Sequence, residues 1–306
     1  MYVVLFLLLI FSVPAERIEH ERKIRVPLAL QETLWSWLLE KFQDPSWLNQ
    51  DNSRFYTQLG DELFSDYYFD TRRLDLMNQG HGIRHRSREI ISGAAIEKDN
   101  RQLIQIKLGQ NEDMEKLTRI EHKLDVVLGA SPRTELLPNL VVSKDRDRLY
   151  TLLKEIGVQA RELRPFLQLK QHRRRVYLSD KQGPYATLTL DLVTSTSWLS
   201  DVKWLEIELE LNEIRYTQAQ MDIRQKMTQT TQKIEAELLN RFPDLIMDQT
   251  PKYDLGFQMV LKSSPLPVLW LVSLGITEEN LSTVVLLLVL AATAMLIFIV
   301  QKFWKK

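Results

Sequence analysis

The chain of 306 residues contains no cysteine. Disulfides, thiolate catalysis and thiolate zinc sites are excluded, although this alone does not fix the compartment. It also lacks an excess of charge, because 40 Lys and Arg balance 40 Asp and Glu. No global field draws nucleic acid or anionic lipid, so no nucleic-acid partner is expected and any anion site has to arise from local clustering. Internal repeats and low-complexity tracts are absent as well. The remainder is ordinary for a globular protein with a core: 44% apolar and 26% charged residues, in a length that suits one large or two small domains.

The two ends differ from the middle. No charge occurs between Leu281 and Val300, a length that crosses a bilayer core as a helix. Glu278 and Glu279 precede this run and Lys302, Lys305 and Lys306 follow it, which places the lysine end in the cytoplasm by the positive-inside rule. The apolar stretch Tyr2–Val13 is too short to span. It looks like the core of a signal peptide, with Val13-Pro14-Ala15 as the cleavage site, although no Lys or Arg precedes it. The expected organisation is a signal peptide (1–15), a main domain outside the cytoplasm (16–264), a juxtamembrane segment (265–280), a transmembrane helix (281–300) and a short basic tail (301–306). The chain would be a single-pass membrane protein. The apolar "SSPLPVLWLVSLG" (263–275) is too short to span, and lies at the membrane interface or packs on the domain.

Between the ends, eight segments read as strands: 17–26, 66–71, 82–88, 102–109, 118–127, 166–178, 185–193 and 203–211. Helices are expected over 27–42, ended by Asp44-Pro45, over 145–157, closed by Gly157, and over Glu213–Leu239, which has no Gly or Pro and stops at Pro243. Many of the strands carry charge on one face and apolar residues on the other. In "RIEHERKIRV" (17–26), alternation puts Glu19, Glu21, Lys23 and Arg25 on one side. In "WLEIELEL", Glu206, Glu208 and Glu210 oppose Leu205, Ile207, Leu209 and Leu211. A single strand of this kind is equally the solvated face of an antiparallel sheet. The charges recur across the set, however, at Arg84, Arg86 and Arg88, Lys107, Arg119 and Glu121, Lys170, His172 and Arg174, and Asp191. The expected fold class is therefore α+β: an eight-stranded antiparallel β-barrel with helices packed outside, its charged faces converging on the interior.

An interior lined by both signs has a chemical logic. Converging carboxylates raise one another's pKa unless a cation joins them. Hard divalent ions such as Mg²⁺ or Mn²⁺ take carboxylate and phosphate oxygens, and Lys and Arg grip the remaining phosphate charge. Such a site suits a polyanion with several phosphates in a row.

Glu19-x-Glu21-x-Lys23 resembles the ExExK signature of the CYTH, or triphosphate tunnel metalloenzyme, superfamily. "YYFDT", "LMNQGHGIRHR", "IQIKL", "RIEHK", "LTLDLV", "WLEIELE" and "TPKYDLG" follow in the family's order, so the resemblance runs from about residue 17 to 257. It implies an eight-stranded tunnel that cleaves a linear triphosphate or short polyphosphate with Mg²⁺ or Mn²⁺ as cofactor. It further implies a metal-binding set of Glu19, Glu21, Glu121, Glu206 and Glu208. Phosphates would be held by Lys23, Arg84, Arg86, Lys107, Arg119 and Lys170, with Arg174 on the face of Lys170. Asp191 would orient a metal-bound water or a basic side chain, joining Glu19, Glu21 and Lys23 as the catalytic residues. Lys252 would come from the segment that closes the tunnel. The late basic strand departs from the usual Lys-x-Arg: Lys170 is followed by His172, with Arg173, Arg174 and Arg175 beyond, and a slip or bulge would bring Arg173 inside instead. Lys123 stands where an acid or neutral residue is common, and His20 and His122 are expected to face outward. The alternatives to a metal-dependent triphosphatase are a non-catalytic phosphate-chain binder and a polyphosphate polymerase of the related branch.

Overall fold

The computed structural model describes residues 17–49, 54–93, 101–109 and 117–304; the expected signal peptide and Lys305 and Lys306 lie outside the described residues. Eight long strands are present: β1 (Arg17–Val26), β2 (Tyr56–Asp70), β3 (Gly82–Gly93), β4 (Arg101–Gly109), β5 (Leu117–Asp125), β6 (Arg164–Asp180), β7 (Gly183–Ser195) and β8 (Val202–Leu211). They are joined antiparallel in the order β5-β4-β3-β2-β6-β7-β8-β1, and β1 also pairs with β5, so the sheet closes into a ring. A two-residue strand, β9 (Ile246–Met247), adds to the end of β1. Closure satisfies the backbone donors and acceptors that an open edge would expose.

Helices lie outside the ring. They are α1 (Gln31–Gln43), α2 (Asp75–Asn78), α3 (Leu137–Leu140), α4 (Ser143–Glu155), α5 (Glu213–Gln218), α6 (Met221–Arg241), α7 (Lys252–Ser263), α8 (Val268–Ser273) and α9 (Glu278–Trp304). The alternation of each strand explains where they dock. Ile24, Val176, Leu188, Leu190, Leu205, Ile207 and Leu209 point outward, and Leu34 and Leu38 of α1 and Ile234 and Leu238 of α6 cover them. Each such fully buried aliphatic contributes about 1.5–3 kcal/mol. On the opposite wall Leu149, Leu152 and Leu153 of α4 cover Ile104, Ile106 and Leu124.

The third helical group closes one end of the ring. Tyr68, Leu167, Leu169 and Trp204 occupy the same alternating set as the charged interior positions, and α7 packs on them with Tyr253, Phe257 and Val260. Tyr68 and Tyr253 stack at 4.9 Å. Gly256 permits the approach: a methyl group there would sit 3.1 Å from Leu169 and 3.2 Å from Trp204, tighter than ordinary contact. The helix expected over Glu213–Leu239 is interrupted. Ala219 and Gln220 are extended, and Arg224 turns back to bond the carbonyls of Thr217 and Ala219.

Candidate active site

The interior is a tunnel with a cavity of about 280 Å³. Four charged groups line its length, each drawing on neighbouring strands. Ladder pairing sets Glu19 opposite Arg119, Lys23 opposite Glu208, and Asp191 opposite both Arg173 and Glu206. All of these side chains point inward.

The first group lies on β1, β4 and β5. The Lys107 ammonium contacts Glu19, and Arg119 Nε lies 3.3 Å from Glu19 Oε2 and Nη2 4.0 Å from Glu21 Oε2. Burial works to raise the Glu19 carboxyl, but Lys107 and Arg119 outweigh it and hold it well below the usual carboxylate range. Glu21 goes the other way. Burial, then the Glu208 and Glu19 charges, push it well above that range, and its buried Oε1 has no hydrogen-bond partner.

The second group centres on Asp66, which is fully buried. Arg86 donates to it from Nε and Nη2, both at 2.7 Å, Arg84 donates from Nη1 at 3.1 Å, and Gln171 also contacts it. Burial raises the carboxyl, but the two guanidiniums prevail and bring it down to about 2. Arg84 Nε also donates to Gln105 Oε1 at 2.7 Å, and Gln105 donates to Glu121 Oε1 at 2.7 Å. Lys123 lies 2.7 Å from the other Glu121 oxygen.

The third group is the acidic one. Carboxylate oxygens of Asp191, Glu206 and Glu208 lie within 4.8 Å of one another. Lys252, from the first turn of α7, inserts among them at 2.6, 2.8 and 2.9 Å respectively. Arg173 Nε donates to Asp191 at 2.7 Å, and its Nη2 contacts both Asp191 and Glu208. Burial opposes ionisation of Glu208, but Lys252, Arg173 and Lys23 hold it well below its usual range. Lys23 lies at the junction, donating to the Thr250 carbonyl at 2.9 Å with Glu206 Oε2 at 3.6 Å. The fourth group lies towards the end opposite α7, where Glu62 contacts Arg88, has Arg175 at 3.2 Å and accepts from the Tyr177 hydroxyl at 3.0 Å.

The structure thus brings Glu19, Glu21, Lys23, Arg84, Arg86, Lys107, Arg119, Glu121, Asp191, Glu206, Glu208 and Lys252 into one tunnel. It does not bring in Lys170 or Arg174. Lys170 is exposed on the outer face of β6, and Arg174 reaches out to Glu32 of α1 at 2.8 Å and over the Trp35 ring. The reason is register: Leu167 and Leu169 pack inward beneath α7, so the inward set continues as Gln171, Arg173 and Arg175. Lys252, expected against phosphate, contacts carboxylates here. Arg25 is at the rim, paired with Asp248. His20 and His122 face outward, as expected: His20 packs on Tyr216 of α5 and His122 contacts Arg148 of α4.

Several tunnel residues had no role in the sequence reading: Glu62, Asp66, Gln105, Gln171 and Glu213. Burial, then Glu121 and Glu210, push Glu213 up to about 9. Asp66 did leave a signal. In a hairpin of 66–71 with 82–88, it falls opposite an arginine in the series Arg84, Arg86, Arg88.

No family model and no curated protein matches the chain. Similar solved structures include a protein of Pyrococcus horikoshii (16% identity, 78% of this chain and 98% of that one, TM-score 0.44). Another is HpAC1 of Hippeastrum, described as having a dominant triphosphatase activity (17%, 82% and 98%, TM-score 0.47). The RNA triphosphatase of S. pombe is a third (14%, 82% and 86%, TM-score 0.31). Similarity of this size carries no conclusion on activity. The ring of eight strands is closed, with Glu19, Glu21 and Lys23 facing its bore and the acidic β8 beside β1, as the tunnel implied by the sequence resemblance requires.

Proposed function

We propose that the protein is a divalent-metal-dependent phosphohydrolase acting on a linear triphosphate or short polyphosphate. One observation supports this above the others: buried acids and buried bases share the interior of one ring, where Glu21 on the inward face of β1 has an unpartnered oxygen and an unfavourable charge. A pure anion binder has no use for such an acid. The donors are all carboxylate oxygen, which suits Mg²⁺ or Mn²⁺: Asp191, Glu206 and Glu208 converge within 4.8 Å, Glu21 feels the Glu208 charge from β1, and Glu19 and Glu121 would have to leave Lys107, Arg119 and Lys123 to join them. When bound, such an ion supplies Lewis-acid polarisation of the phosphoryl group.

The side chains themselves do the positioning. Every base in the tunnel wall named above rests on an acid, so an incoming phosphate chain exchanges partners with the wall. Arg84, Arg86, Lys107 and Arg119 turn their donors from carboxylates to phosphate oxygens. Arg173, held on Asp191, and Arg175, held on Glu62, are the basic residues that β6 contributes in place of Lys170 and Arg174. Asp191 orients Arg173 and Lys252, the second of the two roles expected for it. Positioning and preorganised charge account for most phosphoryl-transfer catalysis.

Phosphate release from tripolyphosphate, with and without Mn²⁺, tests the reading; tight binding without release would leave a binding module instead. Lys23→Ala is expected to lower kcat/KM about ten- to a hundredfold, the size of one charge-assisted contact, with Mn²⁺ binding unchanged. Arg174→Ala is expected to leave turnover unchanged, and to alter stability by under about 1 kcal/mol because its partner is on the surface. Separate titrations of metal and tripolyphosphate on the two variants distinguish these outcomes.

The anchor and the orientation belong to the same proposal. One window of α9, Asn280–Ile297, is long and apolar enough to cross a membrane, and only 6% of it is buried in the protein, unlike a core helix. With the flanking charges, this supports a span with residues 16–264 outside the cytoplasm. Protease added to intact cells, or to spheroplasts, is expected to digest the domain; digestion only after lysis would reverse the orientation.

A further inference from the structure

Around the base of α9 the domain presents apolar side chains that no other described residue covers. Leu269 and Trp270 on α8, Leu274 just after it, and Leu199 in the β7–β8 loop are each more than half exposed. They are not accidental protrusions of a loose segment. The other side of α8 packs Val268, Leu271 and Val272 into the α7 cluster. Trp198, fully buried, donates from Nε1 to the Phe166 carbonyl at 3.0 Å, and this tether leaves Leu199 pointing out. The link from α8 to α9 is also fixed. Ile276 N–H bonds the Leu271 carbonyl at 3.0 Å, and the Arg72 guanidinium lies against Gly275, where a Cβ would meet it at 2.4 Å.

Leu281, the first apolar residue after Glu279, is itself buried in the same cluster as Tyr253, Phe257 and Leu271. The level at which α9 enters apolar surroundings is therefore the level at which the domain ends. Leu274 is four residues from Glu278, at most about 14 Å of chain. Exposed Leu and Trp at that height meet the region where amphipathic aromatics and short apolar helices settle in bilayers.

We propose that α8 and Leu199 form a foot embedded in the phospholipid surface that α9 crosses, seating the domain with the α7-closed end of its tunnel against the membrane and the opposite end facing away. This rests on the reading of α9 as a span.

The absence of cysteine makes the test direct, because a single introduced thiol is the only site a nitroxide can label. Full-length Leu269→Cys, Leu274→Cys, Leu290→Cys and Leu128→Cys, reconstituted in phosphatidylcholine–phosphatidylglycerol vesicles, are compared for collision with oxygen, which favours lipid, and with a nickel chelate, which favours water. Position 290 lies in the expected span, and Leu128 is exposed in the turn that follows β5. Labels at 269 and 274 are expected to show several-fold higher oxygen-to-nickel ratios than the label at 128. Water-like ratios there with a lipid-like 290 would overturn the foot and leave the span. Shielding from both reagents would mean that a second copy or another protein covers the face, which also overturns it. A water-like 290 would remove the span, and the foot with it.

Discussion

Replacement of Asp66 by alanine is expected to lower stability by about 3–5 kcal/mol, the usual loss when one partner of a buried ion pair is removed. The side chain is fully buried and collects Arg84, Arg86 and Gln171 on one carboxylate. Deleting it leaves two guanidiniums in the tunnel wall with their main counter-charge gone. Asp66→Asn keeps an acceptor but no charge, and is expected to fall between alanine and wild type. Thermal unfolding of the full chain in detergent measures both. Tripolyphosphate supplies the missing anion, so it should raise the melting temperature of Asp66→Ala more than that of the wild type. A variant within about 1 kcal/mol of wild type, with no added response to the anion, would show that Arg84 and Arg86 do not depend on Asp66.

Lys252→Met is the second large effect. The ammonium is the common partner of Asp191, Glu206 and Glu208. Methionine preserves much of the volume and removes the charge, leaving three carboxylates within 4.8 Å. In a chelating buffer the variant is expected to lose about 3–5 kcal/mol, or roughly 6–20 °C in melting temperature for a domain of this size. Mn²⁺ should restore most of it by taking the place of the ammonium, whereas wild type should gain less because Lys252 competes for the same oxygens. A variant as stable as wild type in chelator, or destabilised but blind to Mn²⁺, would count against the trio as a place for a cation.

The strands were legible where polar or charged residues on one face alternate with apolar residues on the other, as in β4 and β8, and each expected segment overlaps a strand of the ring. The start of β2 was not. In its first half, Tyr56 to Ser65, buried Gly60, Glu62 and Phe64 alternate with Leu59, Asp61 and Leu63, so polar and apolar types share both faces and show no two-residue period, and the pairing with β3 shifts between Asp61 and Glu62. The register of β6 was ambiguous for a different reason. Both of its faces carry apolar and basic residues, because one end of the inward face lies under α7 and the outward face lies under α1 and α6. Leu167 and Leu169 under α7, with the acids across the ladder, Asp191 and Glu62, set Arg173 facing in. The partners of charges are the general blind spot. Alternation says which way Lys107 or Lys252 points, but not that Glu19 or Glu206 meets it, since those pairs are 88 and 46 residues apart in the chain.

The closure of the ring also sets a schedule for the growing chain. β1 is synthesised before the other described strands, yet both of its long neighbours, β5 and β8, come later, and β8 begins roughly 185 residues after β1. At about 5–20 residues per second, β1 waits on the order of 10–40 s for its last partner. An apolar strand left single for that time would template its own aggregation. The alternating Glu19, Glu21, Lys23 and Arg25 keep one side of it hydrated through that interval, so the charges that later line the bore first act as a solubility tag on an orphan strand.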